Sequence, residues 1–274
     1  MSYSLLSRFR GALIGSMVSE GLSLSNVSAQ AKEVLCGDEI ATSAQSLISP
    51  GAAASTAVSA TRQELHQALA SIIPIALYGH DNPQSLGQMI TDTTPQPLQA
   101  AALVIANIIT AALTHPSPPF NPLPALIQQV TDESLCQSLQ QLEGLLNHRE
   151  SLAISLQTLG DPRRREVSIA LALYCWLSTP EQFQLSVLRA HRIPHVSPLT
   201  LSLTGAFSGA LNGQAAMPLP WLQSTVASRS NIESMEKLAD QLLATWSGCY
   251  HSDPVTADTM KAVAVSAPGL LRPR

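Results

Sequence analysis

The sequence has few charged and few aromatic side chains. Charged residues make up 12% of the 274 positions, about half the usual share, and aromatic residues only 4%. The net charge of −4 gives no basic surface of the kind that binds nucleic acid, so we expect no nucleic-acid partner. With 45% hydrophobic residues, mostly aliphatic, the composition predicts closely packed helices around a sizeable core.

Paired cysteines, a signal peptide and a long apolar run are also lacking. Cys36, Cys136, Cys175 and Cys249 form no CxxC pair, which indicates buried free thiols in a reducing compartment rather than a zinc site. The first residues show no signal-peptide pattern. The longest apolar run, residues 100–113, is shorter than the ~20 residues of a membrane span. We therefore expect a cytoplasmic protein with no membrane partner.

Helical periodicity dominates the chain, and strand patterns are nearly absent. The sequence predicts a compact all-α domain over residues 1–250 and a loosely ordered tail over residues 251–274. Helices are expected over residues 4–22, 63–78, 83–90, 97–113, 126–146, 151–159, 167–177 and 181–190, with a further helix near the C-terminus. Pro74 is expected to kink or restart the second of these.

Three glycines recur at intervals of four in an alanine-rich segment: Gly205, Gly209 and Gly213. This spacing places them on one face of a predicted helix. Each glycine costs about 1 kcal/mol relative to alanine inside a helix. Three on one face therefore predict very close packing of a neighbouring helix, or the approach of a ligand.

Two segments resemble a known family. Residues 167–221 contain Tyr-Cys-Trp, two Gly-Ala pairs at the glycines above, and a Met-Pro-x-x-Trp end, while residues 8–15 read Arg-Phe-Arg-Gly-Ala-Leu-Ile-Gly. These motifs resemble the ADP-ribosylglycohydrolases, which include the dinitrogenase-reductase-activating glycohydrolases. The resemblance implies a compact orthogonal multi-helix domain. It also implies hydrolysis of an N- or O-glycosidic bond to ADP-ribose, assisted by two magnesium ions.

One family motif is replaced. The Gly-Gly-Asp-Thr-Asp-Thr loop of the family falls on Pro194, His195, Val196, Ser197, Pro198 and Leu199. Its two metal-binding aspartates become Val196 and Pro198, and the threonine after them becomes Leu199. Magnesium requires oxygen ligands in tight octahedral geometry, and these three side chains offer none. We therefore expect a member of the family that has lost its magnesium site and uses no cofactor.

Three acidic residues are candidate remnants of that site. Glu20 stands where the family has aspartate, and Asp38 and Glu39 come nearest to a family Thr-Asp-Asp-Thr motif that this sequence lacks. Asp38 and Glu39 alternatively begin a solvated helix, where acidic residues complement the helix dipole. Together with His195 and Ser197, such residues could hold a single zinc-like ion, or the position could be purely structural.

Three functions remain open from the sequence. The first is a catalytically inactive, regulatory protein whose partner is another protein. The second is a module that binds ADP-ribose or a related nucleotide without cleaving it. The third is a hydrolase with a rebuilt site, in which Glu20 acts as base or ligand. Separately, the run Arg163–Arg165 either holds a phosphate or forms a solvated turn.

Overall fold

A computed structural model describes residues 3–24, 36–48, 62–114, 121–223 and 229–248. These residues form helices and no strand, which confirms the all-α prediction. The predicted tail and Cys249 lie outside the described residues. In chain order the helices are α1 (Leu5–Leu24), α2 (Cys36–Ile48), α3 (Arg62–Ala70), α4 (Ile72–Tyr78), α5 (Pro83–Thr93), α6 (Gln96–Thr114), α7 (Leu123–Gln129), α8 (Glu133–Asn147), α9 (Leu152–Leu159), α10 (Arg165–Leu177), α11 (Phe183–His191), α12 (Pro198–Asn212), α13 (Leu219–Leu222) and α14 (Arg229–Ser247).

Helix α12 lies at the centre of the fold, because every residue from Leu199 to Asn212 is buried. Helix α10 runs beside it in the same direction: the Ser168 carbonyl accepts a hydrogen bond from Thr200, and the rings of Trp176 and Phe207 lie 5.6 Å apart further along. Helix α10 is itself buried from its second residue to Trp176. A near-continuous apolar sequence thus corresponds to an interior helix.

Polar residues set the breaks between helices. The predicted helix over residues 63–78 is divided at Ser71, and Pro74 lies in the first turn of α4, where a missing backbone N–H is tolerated. The segment predicted over residues 126–146 divides into α7 and α8. Asp132 caps α8 by accepting hydrogen bonds from the backbone N–H groups of Ser134 and Leu135, at 3.0 and 3.1 Å.

Helix α6 is longer than the apolar run that predicts it. Its bounds lie within one residue of the predicted 97–113, and among the described helices it is the one long and apolar enough to cross a membrane. However, 56% of its most apolar 18-residue stretch is buried inside the fold. The guanidinium of Arg8, which is 4% exposed, donates to the carbonyl of Leu113 at 2.8 Å and so satisfies the C-terminus of this helix. Helix α6 is therefore a core helix.

The C-terminal helix α14 packs against α1. Arg10 and Asp240 form a bidentate ion pair, with both N–O distances at 2.7 Å. The ring of His80 lies between two aromatic rings, 5.6 Å from the centroid of Phe9 and 4.8 Å from that of Trp246. These contacts join the two ends of the described chain on one side of the core.

Candidate functional site

The glycines of α12 meet glycines of α1 in direct backbone contact. A Cβ atom added to Gly205 would overlap the carbonyl oxygen of Gly15, and one added to Gly209 would overlap that of Gly11. The reverse holds for additions at Gly11 and Gly15. The two helices are antiparallel here, and their close approach fills this face with backbone, which leaves no space for a ligand between them.

The third glycine, Gly213, has a different role from the other two. The sequence predicts Gly213 on the same helix face, but α12 ends at Asn212 and Gly213 is its cap, with a φ of 67°. Its N–H donates to the carbonyl of Gly209 at 2.8 Å. The spacing of four residues does not show where the helix ends. It therefore predicted a helical conformation for Gly213, whereas the chain there needs a positive φ, which glycine adopts readily.

Residues 194–199, which the resemblance places at the family's metal-binding loop, lead into the start of α12. His195 is exposed and has a φ of 53°, Val196 is half-buried, and Leu199 is fully buried in the core. Ser197 is the N-cap and Pro198 is the first helical residue, an arrangement that favours helix initiation. These side chains therefore initiate and anchor a helix.

Ser197 belongs to a buried network of hydroxyl groups. Its Oγ accepts from the backbone N–H of Thr200 at 3.1 Å and lies 2.9 Å from that residue's Oγ1 and 2.8 Å from the Oγ of Ser168. Ser168 Oγ in turn donates to the carbonyl of Pro162 at 2.8 Å. The network joins α12 to α10 and occupies the hydroxyl that could otherwise have bound an ion.

Glu20 is buried near the end of α1, at 3% exposure. Its carboxylate faces the thiol and backbone N–H of Cys36 and the backbone N–H of Gly37, at the start of α2. The hydroxyl of Ser202 in α12 faces it as well. Burial raises the pKa of Glu20 to about 7, although these donors act in the opposite direction. Its Oε1 makes no hydrogen bond of regular geometry with a described residue.

The two other acidic candidates do not join Glu20. Asp38 is exposed and Glu39 half-exposed, both in the first turn of α2. This placement matches the solvated helix start that the sequence left open as an alternative. The neighbour that sequence reasoning missed is Cys36, whose thiol pKa is raised well above its usual value by burial and then by the Glu20 charge. Only tertiary packing brings it to Glu20.

The histidines are also separated. His191 is half-buried at the end of α11, and its Nε2 lies 2.8 Å from the carbonyl oxygen of Ser19. Burial lowers the pKa of His191, while this hydrogen bond partly opposes the shift. By contrast, His195 is exposed. The described residues contain no group of three histidine, cysteine or acidic side chains that could hold a metal ion. Among the residues that the structure describes, the position of Glu20 offers one buried carboxylate beside a thiol and hydroxyls, a set that does not fit a pair of magnesium ions, which prefers carboxylate and water oxygens.

The arginine run is mainly structural. Arg165 donates to Glu166 Oε1 at 2.6 Å, to Asp132 Oδ2 at 3.0 Å and to the carbonyl of Pro97 at 2.6 Å. Arg163 and Arg164 are exposed. The guanidinium of Arg165 thus joins the starts of α6, α8 and α10 and is already paired.

The comparison with known families agrees with the resemblance read from the motifs. The sequence profile described as ADP-ribosylglycohydrolase matches residues 28–252, which is most of the chain. The chain therefore belongs to the ADP-ribosylglycohydrolase family. The match begins after α1, so Glu20 and the glycines of that helix lie outside it. No curated protein sequence matches the chain.

Proposed function

We propose that this protein is a catalytically inactive ADP-ribosylglycohydrolase-like protein that acts by binding another protein. The observation that carries the proposal is the start of α12. There Val196 and Pro198 stand where the family resemblance puts the two metal-binding aspartates, and Leu199, in place of the following threonine, packs in the core. Ser197, between them, caps the helix. Refilling this loop with helix-initiating residues removes the ligands while keeping the scaffold.

The buried carboxylate of Glu20 supports the same proposal. A general base must come within hydrogen-bond reach of its substrate. Glu20 is 3% exposed and faces the first amides of α2 and a hydroxyl of α12, so it serves to join these helices to α1. A pKa of about 7 suits a base, but here burial alone accounts for it. This favours a structural part for Glu20 over the rebuilt hydrolase.

A protein partner is favoured by exposed leucines on α11. Leu185 and Leu188 are 45% and 39% exposed and lie three residues apart, and therefore on one face of the helix. Charged groups are scarce over the whole chain, at 12%. Apolar side chains grouped on a surface are a common feature of protein interfaces. Binding of ADP-ribose without cleavage remains the second candidate, to be separated by experiment.

Calorimetric titration of the purified full chain with ADP-ribose, with and without magnesium, tests the proposal. We expect no heat of binding at millimolar ligand from a protein that unfolds cooperatively, and no release of ADP-ribose from N- or O-linked ADP-ribosyl peptides. Magnesium-dependent heat would refute the loss of the metal site, and turnover that needs Glu20 would refute the loss of catalysis. Heat that does not depend on magnesium would favour the nucleotide-binding module.

A partner-binding experiment completes the test. The full chain and the variant Leu185→Ser/Leu188→Ser would be used as baits against extract of the source cells, with Leu103→Ser as a matched control, since Leu103 is similarly exposed at 38% on a different helix. A partner retained by the wild type and the control, but lost from the α11 variant, is the expected result. Equal capture by all three would contradict the assignment of this face.

A further inference from the structure

A cleft lies at the opposite end of α10 from the hydroxyl network. It has a volume of about 550 Å³ and opens beside the C-terminal ends of α8 and α10. Small-molecule sites typically span about 300–1,000 Å³, so the cleft has the size of a ligand site. From Ser168 to Leu177, which lines it, α10 rises about 14 Å at 1.5 Å per residue. The cleft is therefore separate from the replaced family loop.

An arginine with an unused donor forms one wall of the cleft. Arg189 lies in the last turn of α11 with its guanidinium carbon 5.9 Å from the ring centroid of Tyr174. Its Nη1 is buried and has no hydrogen-bond partner among the described residues. Stacking on the ring holds the cation in place. Nη1 itself is enclosed, but the side chain lines the cleft, so the positive charge of the guanidinium attracts an anion there.

A second arginine is directed to the cleft by an unusual backbone. Arg149 follows α8 in the left-handed region, with a φ of 52°. Its N–H donates to Leu146 O at 3.1 Å and that of Glu150 donates to Leu145 O at 2.9 Å, which is the Schellman pattern of helix ends. That position favours glycine or asparagine, because the Cβ of any other residue comes too close to the following carbonyl oxygen. The conformation places an exposed arginine side chain on the rim of the cleft.

The two arginine-bearing segments are fixed relative to each other. The hydroxyl of Tyr174 donates a hydrogen bond to the carbonyl of Glu150 at 2.6 Å. Arg189 stacks on the ring of the same tyrosine, and Arg149 immediately precedes Glu150 in the chain. The Glu150 carboxylate is the one acidic group among the described residues that line the cleft, and it forms no ion pair with either arginine. The site is thus assembled without a ligand and carries a net positive charge.

We propose that this cleft binds a small organic phosphate monoester. The two guanidinium groups suit the charge of about −1.5 to −2 on such a phosphate, and their N–H groups form charge-assisted hydrogen bonds to phosphate oxygens. Leu145, Leu146 and Leu177 provide an apolar surface for the organic part. The Glu150 carboxylate can accept a hydrogen bond from a ligand hydroxyl. This inference is independent of the proposed loss of catalysis, which concerns the other end of α10.

Titration of the full chain with phenyl phosphate, followed by calorimetry or by chemical-shift changes, tests the proposal. We expect saturable binding by the wild type and at least about tenfold weaker binding by Arg189→Gln, because a hydrogen bond to a charged group is lost. Arg192→Gln is the matched control. Arg192 is an exposed arginine three positions further along that does not line the cleft, so its variant should bind like the wild type. If Arg189→Gln fails to fold, Arg149→Gln gives the same test, since its side chain is exposed.

Three results would overturn the assignment. The first is an absence of saturable binding by the wild type up to about 10 mM, which is weaker than any useful affinity. The second is an equal loss in Arg192→Gln, which would indicate general charge attraction. The third is benzoate binding as tightly as phenyl phosphate, which would replace the phosphate by a carboxylate. Loss or retention of ADP-ribose binding does not bear on any of them.

Discussion

Replacement of Gly209 by alanine probes the packing on which the fold depends. The added methyl group would overlap the carbonyl oxygen of Gly11 on α1, with backbone on both sides of the contact. No side chain can rotate away to relieve the overlap. The two helices would have to separate, and α12, which is buried from Leu199 to Asn212, would lose contact along the face that α1 covers.

The expected size of the effect follows from two opposing contributions. Overpacking in a core typically costs about 1–3 kcal/mol, and we expect the upper end or more where two backbones collide. Alanine recovers about 1 kcal/mol through its better helix propensity. Gly209→Ala should therefore lower the free energy of unfolding by about 2 kcal/mol or more. That corresponds to a fall in Tm of about 2–4 °C per kcal/mol.

Comparing the urea unfolding of Gly209→Ala with that of Gly144→Ala separates the effect of helix packing from the effect of helix propensity on the free energy of unfolding. Gly144 lies within α8, and a methyl group added there meets nothing within 4 Å. Gly144→Ala should therefore stabilise the protein by about 0.5–1 kcal/mol. If Gly209→Ala stabilised it by a similar amount, the close approach of α1 and α12 would be refuted.

Three further predictions concern polar groups. Ser197→Ala should lower the free energy of unfolding by about 1–2 kcal/mol, measured in urea, because it removes the cap of α12 and leaves Ser168 and Thr200 without a partner hydroxyl. The pKa of Glu20 rises from 4.5 to about 7 on folding, so the free energy of unfolding should fall as the pH rises between these values, by up to about 3 kcal/mol. Urea titrations at pH 5 and 8 should show that Glu20→Gln removes this slope, and an unchanged slope would contradict the burial. A double-mutant cycle with Arg10→Ala and Asp240→Ala should give a coupling of only about 0.5–1 kcal/mol, because both side chains are partly exposed.

Periodicity in the sequence predicted most of the helices. Helices α1, α6 and α10 lie within a few residues of their predicted bounds. Each has a long run of apolar residues at helical spacing, and this periodicity is the strongest sequence signal for a helix. The breaks were harder to place. The division at Ser71 comes three residues before Pro74, since a proline is accommodated within the first turn of a helix rather than at its boundary.

The site depended on contacts between distant segments, which a single sequence does not encode locally. Glu20 was a candidate from its position alone, but its neighbours Cys36 and Ser202 come from two other helices. One signal was available and not used: Ser197 followed by Pro198 is a common helix start. This Ser-Pro signal predicts that α12 begins at Pro198 and that Ser197 is its N-cap.

The side chains that stand where we propose the family's ion ligands have been lost are those a stable helix start prefers. Binding sites commonly retain polar or strained groups that lower stability, and a protein released from that requirement can replace them with residues that pack and cap. Leu199 contributes a fully buried side chain, and Ser197 satisfies backbone and hydroxyl groups of two helices. Placing aspartates at Val196 and Pro198 should lower stability, because it removes a half-buried apolar side chain and the proline that begins α12. The loss should persist in the presence of magnesium, because Glu20 remains enclosed by α2 and α12. Magnesium-dependent recovery of Tm in that double variant would instead mean that the scaffold still holds a functional ion site.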